Sequence, residues 1–109
     1  MRTGASVVLL NAATTTTSGD AHQLIGNART YSASGTTSAG SGSATIVIEV
    51  RNDTSEAYIT MGTITLTLGT TATADGLSSI VPWKYTRARV TAISGTNATV
   101  SVYAGTLSP

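Results

Sequence analysis

The stretch "PWKYTRARVTAISGTNATVSVY", residues 82–103, decides the fold class of this 109-residue chain. It alternates twice around a turn. Thr86, Ala88, Val90 and Ala92 share one face of a first strand, and Ala98, Val100, Val102 and Ala104 continue that face on a second. Between them "SGTN" (94–97) offers Gly95, a residue that takes a positive φ at no steric cost, so the segment predicts a β-hairpin. Its apolar face is built from small side chains, and the opposing sheet must come close or bring bulk of its own. The other face of the first strand reads Trp83, Tyr85, Arg87, Arg89, one side chain at every second position. That row is neither a core nor an ordinary wet surface.

The same alternation recurs upstream. In "SATIVIEVR" (43–51), Ala44, Ile46, Ile48 and Val50 face one way, with Thr45, Glu49 and Arg51 opposite. In "GTITLTLG" (62–69), Ile64, Leu66 and Leu68 oppose Thr63, Thr65 and Thr67, while Ile59 and Met61 sit on the other parity. A one-residue slip of that kind predicts a bulge or tight turn around Gly62. "ASVVLLNAA" (5–13) reads as a strand and "HQLIG" (22–26) as a short one, joined by "TTTTSGD" (14–20). Asp75-Gly76 reads as a turn and Pro82 as a strand start. "SASGTTSAGSGS" (32–43) has no aliphatic residue larger than alanine and reads as a flexible Ser/Gly/Thr-rich loop. No segment shows a helical period. Short strands with turn signals about every ten residues predict an all-β fold, a single antiparallel β-sandwich over residues 1–109, jelly-roll-like.

Composition narrows the function. Hydrophobic residues make up 40% and charged residues 10%, which places the chain among folded domains and not disordered ones. A formal net charge of +1 gives no reason to expect nucleic acid or an anionic membrane as partner. The lack of cysteine excludes a disulfide framework and thiolate metal sites. "VVLL" (7–10) is too short for a secretory signal, and no stretch approaches a membrane span, so synthesis in a cytoplasm is expected. Roughly a third of the residues are Ser or Thr, which keep a β surface wet without charge. A surface so poor in charge suits a protein packed against neighbours.

Groups for catalysis are scarce. His22 is followed by no nearby acidic partner and reads as a surface residue, and the carboxylates Asp20, Glu49, Asp53, Glu56 and Asp75 are scattered. Asp53 and Glu56 in "RNDTSE" (51–56) could hold a hard cation through oxygen, although an Asn/Asp turn accounts for them without one. No catalytic residue, metal site or cofactor is therefore expected, and the chain reads as a non-enzyme. Trp83, Tyr85, Arg87 and Arg89 are the candidate interaction residues, because Trp, Tyr and Arg concentrate at binding hot spots and Arg presents a planar fork to carboxylates. Two other readings stand beside that one. Trp83 can pack at the sandwich edge above merely wet arginines, or the aromatic platform can suit a sugar ring.

"TIVIEVRNDTSEAYITMGTITL" (45–66) followed by "PWKYTRARVTAISGTNATVSV" (82–102) resembles small all-β structural proteins of tailed-bacteriophage virions. Asn52 and Asp53 match the turn of that family's first motif. Trp83, Tyr85, Arg87, Val90, Thr91, Ala92, Ser94, Gly95, Val100 and Val102 match its closing motif with a one-residue difference in loop spacing. Thr54 stands where the family's turn often has glycine, and Tyr58 where tryptophan is common. The resemblance implies a capsid decoration (cement) protein on the capsid surface of a virion, with the major capsid protein as partner and a homotrimer as working form. A head–tail or tail-associated component is the variant within that class. A more distant similarity to discoidin-type jelly rolls, which bind sugars or lipid surfaces, implies a glycan-binding module instead.

Overall fold

The computed structural model describes residues 3–23, 28–79 and 83–108. Every regular element among them is a strand: β1 (Thr3–Ala13), β2 (Thr17–Ser18), β3 (Ala28–Thr36), β4 (Ala39–Arg51), β5 (Ile59–Leu68), β6 (Thr73–Ser79), β7 (Tyr85–Thr96) and β8 (Thr99–Ser108). They form two antiparallel four-stranded sheets in the orders β1-β8-β3-β6 and β2-β7-β4-β5. The sheets pack face to face as the expected β-sandwich. Their pairings nest, first strand with last and inward to β4 with β5, so the chain runs as one folded ribbon wrapped across both sheets.

Period-two alternation selects the core. Ala44, Ile46, Ile48 and Val50 of β4, with Ile64, Leu66 and Leu68 of β5, are buried on the inner face of one sheet. Tyr31 and Ala33 of β3, with Val100, Val102 and Ala104 of β8, are buried on the other. Bulk on β4 and β5 thus answers the small side chains of β8, as the narrow apolar face required. Each large aliphatic buried this way contributes about 1.5–3 kcal/mol. The slip at Gly62 is a register break, since Ile48 pairs with Gly62 but Glu49 pairs with Thr60.

Several expectations are corrected. Residues 86–104 do not form a hydrogen-bonded hairpin. β7 pairs with β2 and β4, whereas β8 pairs with β1 and β3 in the other sheet. Gly95 and Asn97, both at positive φ, carry the chain across the sandwich. Two strands with apolar faces of matching parity can pair side by side or face each other over a core, and alternation alone does not separate the two. A second register break lies between Thr45 and Ile46, which pair with Ala92 and Val90. Thr91 is the extra residue, so Ala92 is exposed and Ile93 turns inward.

The flexible loop expected at 32–43 is the end of β3, the link Thr37-Ser38 and the start of β4. Small residues there serve close packing: Ala33, Gly35 and Thr37 are buried. The link's amides are also satisfied, Thr37 N donating to Gly69 O at 2.8 Å and Ser38 N to Thr96 O at 2.9 Å. Asp75-Gly76 is no turn either, since both lie within β6 and pair with Ala33 and Ser32. A Cβ on Gly76 would stand 2.6 Å from the Tyr31 carbonyl oxygen, so the glycine permits a close strand approach. His22 makes an isolated bridge to Thr86. The rest of the short strand expected at 22–26, from Leu24 on, and Pro82 lie outside the described residues.

Replacing Ile48 with alanine is expected to lower unfolding free energy by about 2–5 kcal/mol, while Thr63→Ala on the opposite side of its sheet changes it by less than about 0.5 kcal/mol. Equilibrium denaturation of both variants measures the contrast.

Candidate functional site

The outer face of the β2-β7-β4-β5 sheet gathers the chemistry of the chain. Inward-facing Thr86, Ala88 and Val90 leave Tyr85, Arg87 and Arg89 on the outside of β7. On the neighbouring strand β4, Arg51 lies opposite Tyr85, Glu49 opposite Arg87 and Val47 opposite Arg89. Trp83 precedes the strand, half-buried on the segment that leads into it. The row of four expected from sequence is thus three strand residues and one flanking residue.

Glu49 is the centre of the face. It is buried although it sits on the solvent side of its sheet. Arg87 Nε donates to Glu49 Oε1 at 2.9 Å. Arg89 Nε approaches the same oxygen at 3.4 Å in an ion contact without hydrogen-bond geometry, and its side chain stays 43% exposed. A buried carboxylate in a low-dielectric setting requires this pairing. The main chain of Glu49 is held as well, its carbonyl accepting from the Thr86 hydroxyl at 3.3 Å.

Tyr58, just ahead of β5, is the second organiser. The guanidinium of Arg87 lies 3.7 Å from its ring centroid and that of Arg51 4.2 Å. Cations at that distance are attracted to the negative face of the ring. Lys84 lies 5.4 Å from the Tyr85 centroid, within the same range. Arg51 also pins the loop between β4 and β5, donating from Nη1 to the carbonyls of Thr54 at 3.1 Å and Glu56 at 3.2 Å. Asn52 Oδ1 accepts from Lys84 N at 3.0 Å and ties this loop to the approach of β7.

Asp53 and Glu56 are engaged in building the turn. Asp53 Oδ1 accepts from Ser55 N at 2.9 Å and Ser55 Oγ at 2.8 Å, and Glu56 Oε1 accepts from Asn52 N at 2.9 Å. The Ser55 amide first, and its hydroxyl second, hold the Asp53 pKa below its ordinary 3.8, helped by Lys84 and Arg51. Among the described residues no three His, Cys, Asp or Glu side chains gather where they could hold a metal ion.

Glu49, Arg51 and Tyr58 were missed as site residues by sequence reasoning. Glu49 and Arg51 stood visibly on the outer parity of β4, but which strand lay beside them was not legible. The lone acid of one outward face and the paired arginines of another were the available signal. No family model matches this chain, and no curated protein or solved structure matches it either.

Glu49→Gln removes the charge that Arg87 and Arg89 share and is expected to destabilise the fold by about 1–3 kcal/mol, toward the lower end because both arginines are partly solvated. In a double-mutant cycle, Arg87→Ala should cost less in the Glu49→Gln background than in the unaltered protein.

Because the folded pKa of Asp53 is depressed, its contribution is present above the ordinary 3.8 and disappears as pH falls through the folded value. A carboxyl-carbon NMR titration should therefore place the Asp53 midpoint below 3.8, and Ser55→Ala should move it partway back.

Proposed function

We propose that this protein is a non-enzymatic structural component of a tailed-phage virion, a decoration (cement) protein that binds the major capsid protein on the head and stabilises the shell. The observation that carries the reading is the pre-organised outer face of Trp83, Tyr85, Arg87 and Arg89. Arg87 is fixed by Glu49 and Tyr58 before any partner arrives, so little side-chain freedom is left to lose on docking. Aromatic and guanidinium groups held still in this way are the usual anchors of protein interfaces. Around them the surface is hydroxyl-rich, with Thr60, Thr63, Thr65 and Thr67 all exposed on or beside the outer face of β5. The nested strand pairing is the connectivity a jelly roll has, and it supports the finer fold reading.

The mechanism is linkage. A protein that binds the mature lattice but not its unassembled subunit stabilises the lattice in proportion to occupancy. Copies sit side by side on the shell, each presenting its row to a capsid subunit or to a neighbour. A ring at the neck or tail is the nearest variant within this class.

A second reading, a glycan-binding module displayed on the virion, has one observation in its favour. A shallow cleft beside Arg89 is lined by Thr16, Thr17, Ser18 and Thr91, whose hydroxyls and cation suit a polar ligand. The Tyr58 ring, by contrast, is already occupied by two guanidinium groups.

Immunogold labelling of tailed particles from the source of this sequence tests the proposal. Label on heads is expected, label confined to necks or tails would move the protein to those sites, and its absence from the particles would sink the virion reading. Trp83→Ala with Arg89→Ala should remove particle binding while the sandwich still folds, since Arg87 remains as the hydrogen-bonded partner of Glu49.

A further inference from the structure

Four edge strands bound the two sheets, and three of them are blunted. β1 breaks register twice, between Val8 and Leu10 and between Leu10 and Ala13, with Ala12 at a φ of 52°. β2 has only two residues. β6 carries the exposed Asp75 at its middle. β5 has one register break, between Thr60 and Gly62 at its start, and none of these features beyond it. From Gly62 to Leu68 it is unbroken, contains no charge and no proline, and among the described residues pairs with β4 alone, on one side. Long uncharged edges of this kind template pairing with another chain.

The outward backbone groups can be assigned. Thr67 O accepts from the Thr73 hydroxyl at 2.9 Å, from the β6 side and away from β4. With the two-residue period of a strand, the N–H and C=O groups of Thr65 and Thr63 then also point away from β4. The sequence around them is complementary to itself. Turned antiparallel about Thr65, the segment sets Thr63 against Thr67, Ile64 against Leu66 and Thr65 against its own copy. Threonines therefore meet threonines on the outer face, and aliphatics meet aliphatics on the inner one.

We propose that β5 pairs with β5 of a second copy of this chain across a two-fold axis that runs between the two Thr65 residues, normal to the sheet. The result is a continuous eight-stranded sheet in which Thr65 N–H and C=O of each copy bond those of the other. A two-fold axis in that direction exchanges the strands but not the faces. Both copies then present Trp83, Tyr85, Arg87 and Arg89 on the same side, and a partner with two epitopes can engage both at once. This contact does not rest on the virion reading.

The test is the mass of the protein by light scattering behind size exclusion, over a hundredfold dilution, for the unaltered chain and for Thr65→Lys. Lysine at 65 would meet its own copy at the axis. Twice the 11.0 kDa chain mass, falling to the monomer mass in Thr65→Lys, is the expected result. Hydrogen exchange of the unaltered protein guards against a variant that misfolds: the Thr65 amides of the two copies should be protected at high concentration and exchange at least tenfold faster on dilution. A monomer at every concentration, a threefold mass, or a dimer in which those amides exchange freely would overturn the proposal.

Discussion

The register of β4 against β7 governs both sides of the sheet these strands share. On the inside it brings Ile46, Ile48 and Val50 next to Val90, Ala88 and Thr86, all buried. On the outside the same register sets Glu49 directly opposite Arg87. Because side chains alternate with a period of two, a slip of one residue would move the isoleucines into solvent and the carboxylate into the core. The hydrophobic effect holds the register, and the ion pair is placed by it. The charged cluster is therefore a consequence of core packing as much as a cause of stability.

The outer face has a definite electrostatic character as a result. Arg51, Lys84, Arg87 and Arg89 are four of the chain's six Lys and Arg residues, gathered on or beside one face. Glu49 lies among them, while Asp53 and Glu56 are committed to the turn beside it. Four cations against three carboxylates leave a net +1 there, the same as for the whole chain, but the cations are held in place. Fixed positions distinguish this face from a mobile basic surface. Arg87 has a carboxylate on one side and an aromatic ring on the other, so its guanidinium plane is held. A partner with carboxylates beside an aliphatic patch would complement such a face.

Alternation in 43–51 and 62–69 was enough to select the inward residues of β4 and β5, because burial on one face writes itself into the sequence every second position. Partner choice leaves no such mark. Thr86–Val90 and Val100–Ala104 carry the same small-apolar signature whether they pair or face each other, so the crossing between sheets at Gly95 and Asn97 was hidden. The stretch 32–43 was misread for a related reason. Ser, Gly and Ala are the residues of linkers, and they are also the ones that fit where β3 is flanked by both β6 and β8. Of the outer face, the arginine row was legible and its organisers were not, since Glu49 and Tyr58 lie more than 25 residues away in sequence from Arg87.

The nesting of first strand with last has a consequence in time. Thr3 pairs with Ser108 and Ala28 with Leu107, while the closest pairing is the β4–β5 hairpin, where Val50 meets Ile59. Loop closure opposes each distant pairing before any contact rewards it. The β4–β5 hairpin is thus the cheapest nucleus in chain entropy, with β7 adding to it next, and the sheet containing β8 has to form late. Domains dominated by such distant pairings fold on the order of milliseconds to seconds, far more slowly than helical bundles. Throughout that interval β5 would stand exposed, an uncharged edge presented by the part of the protein that forms first.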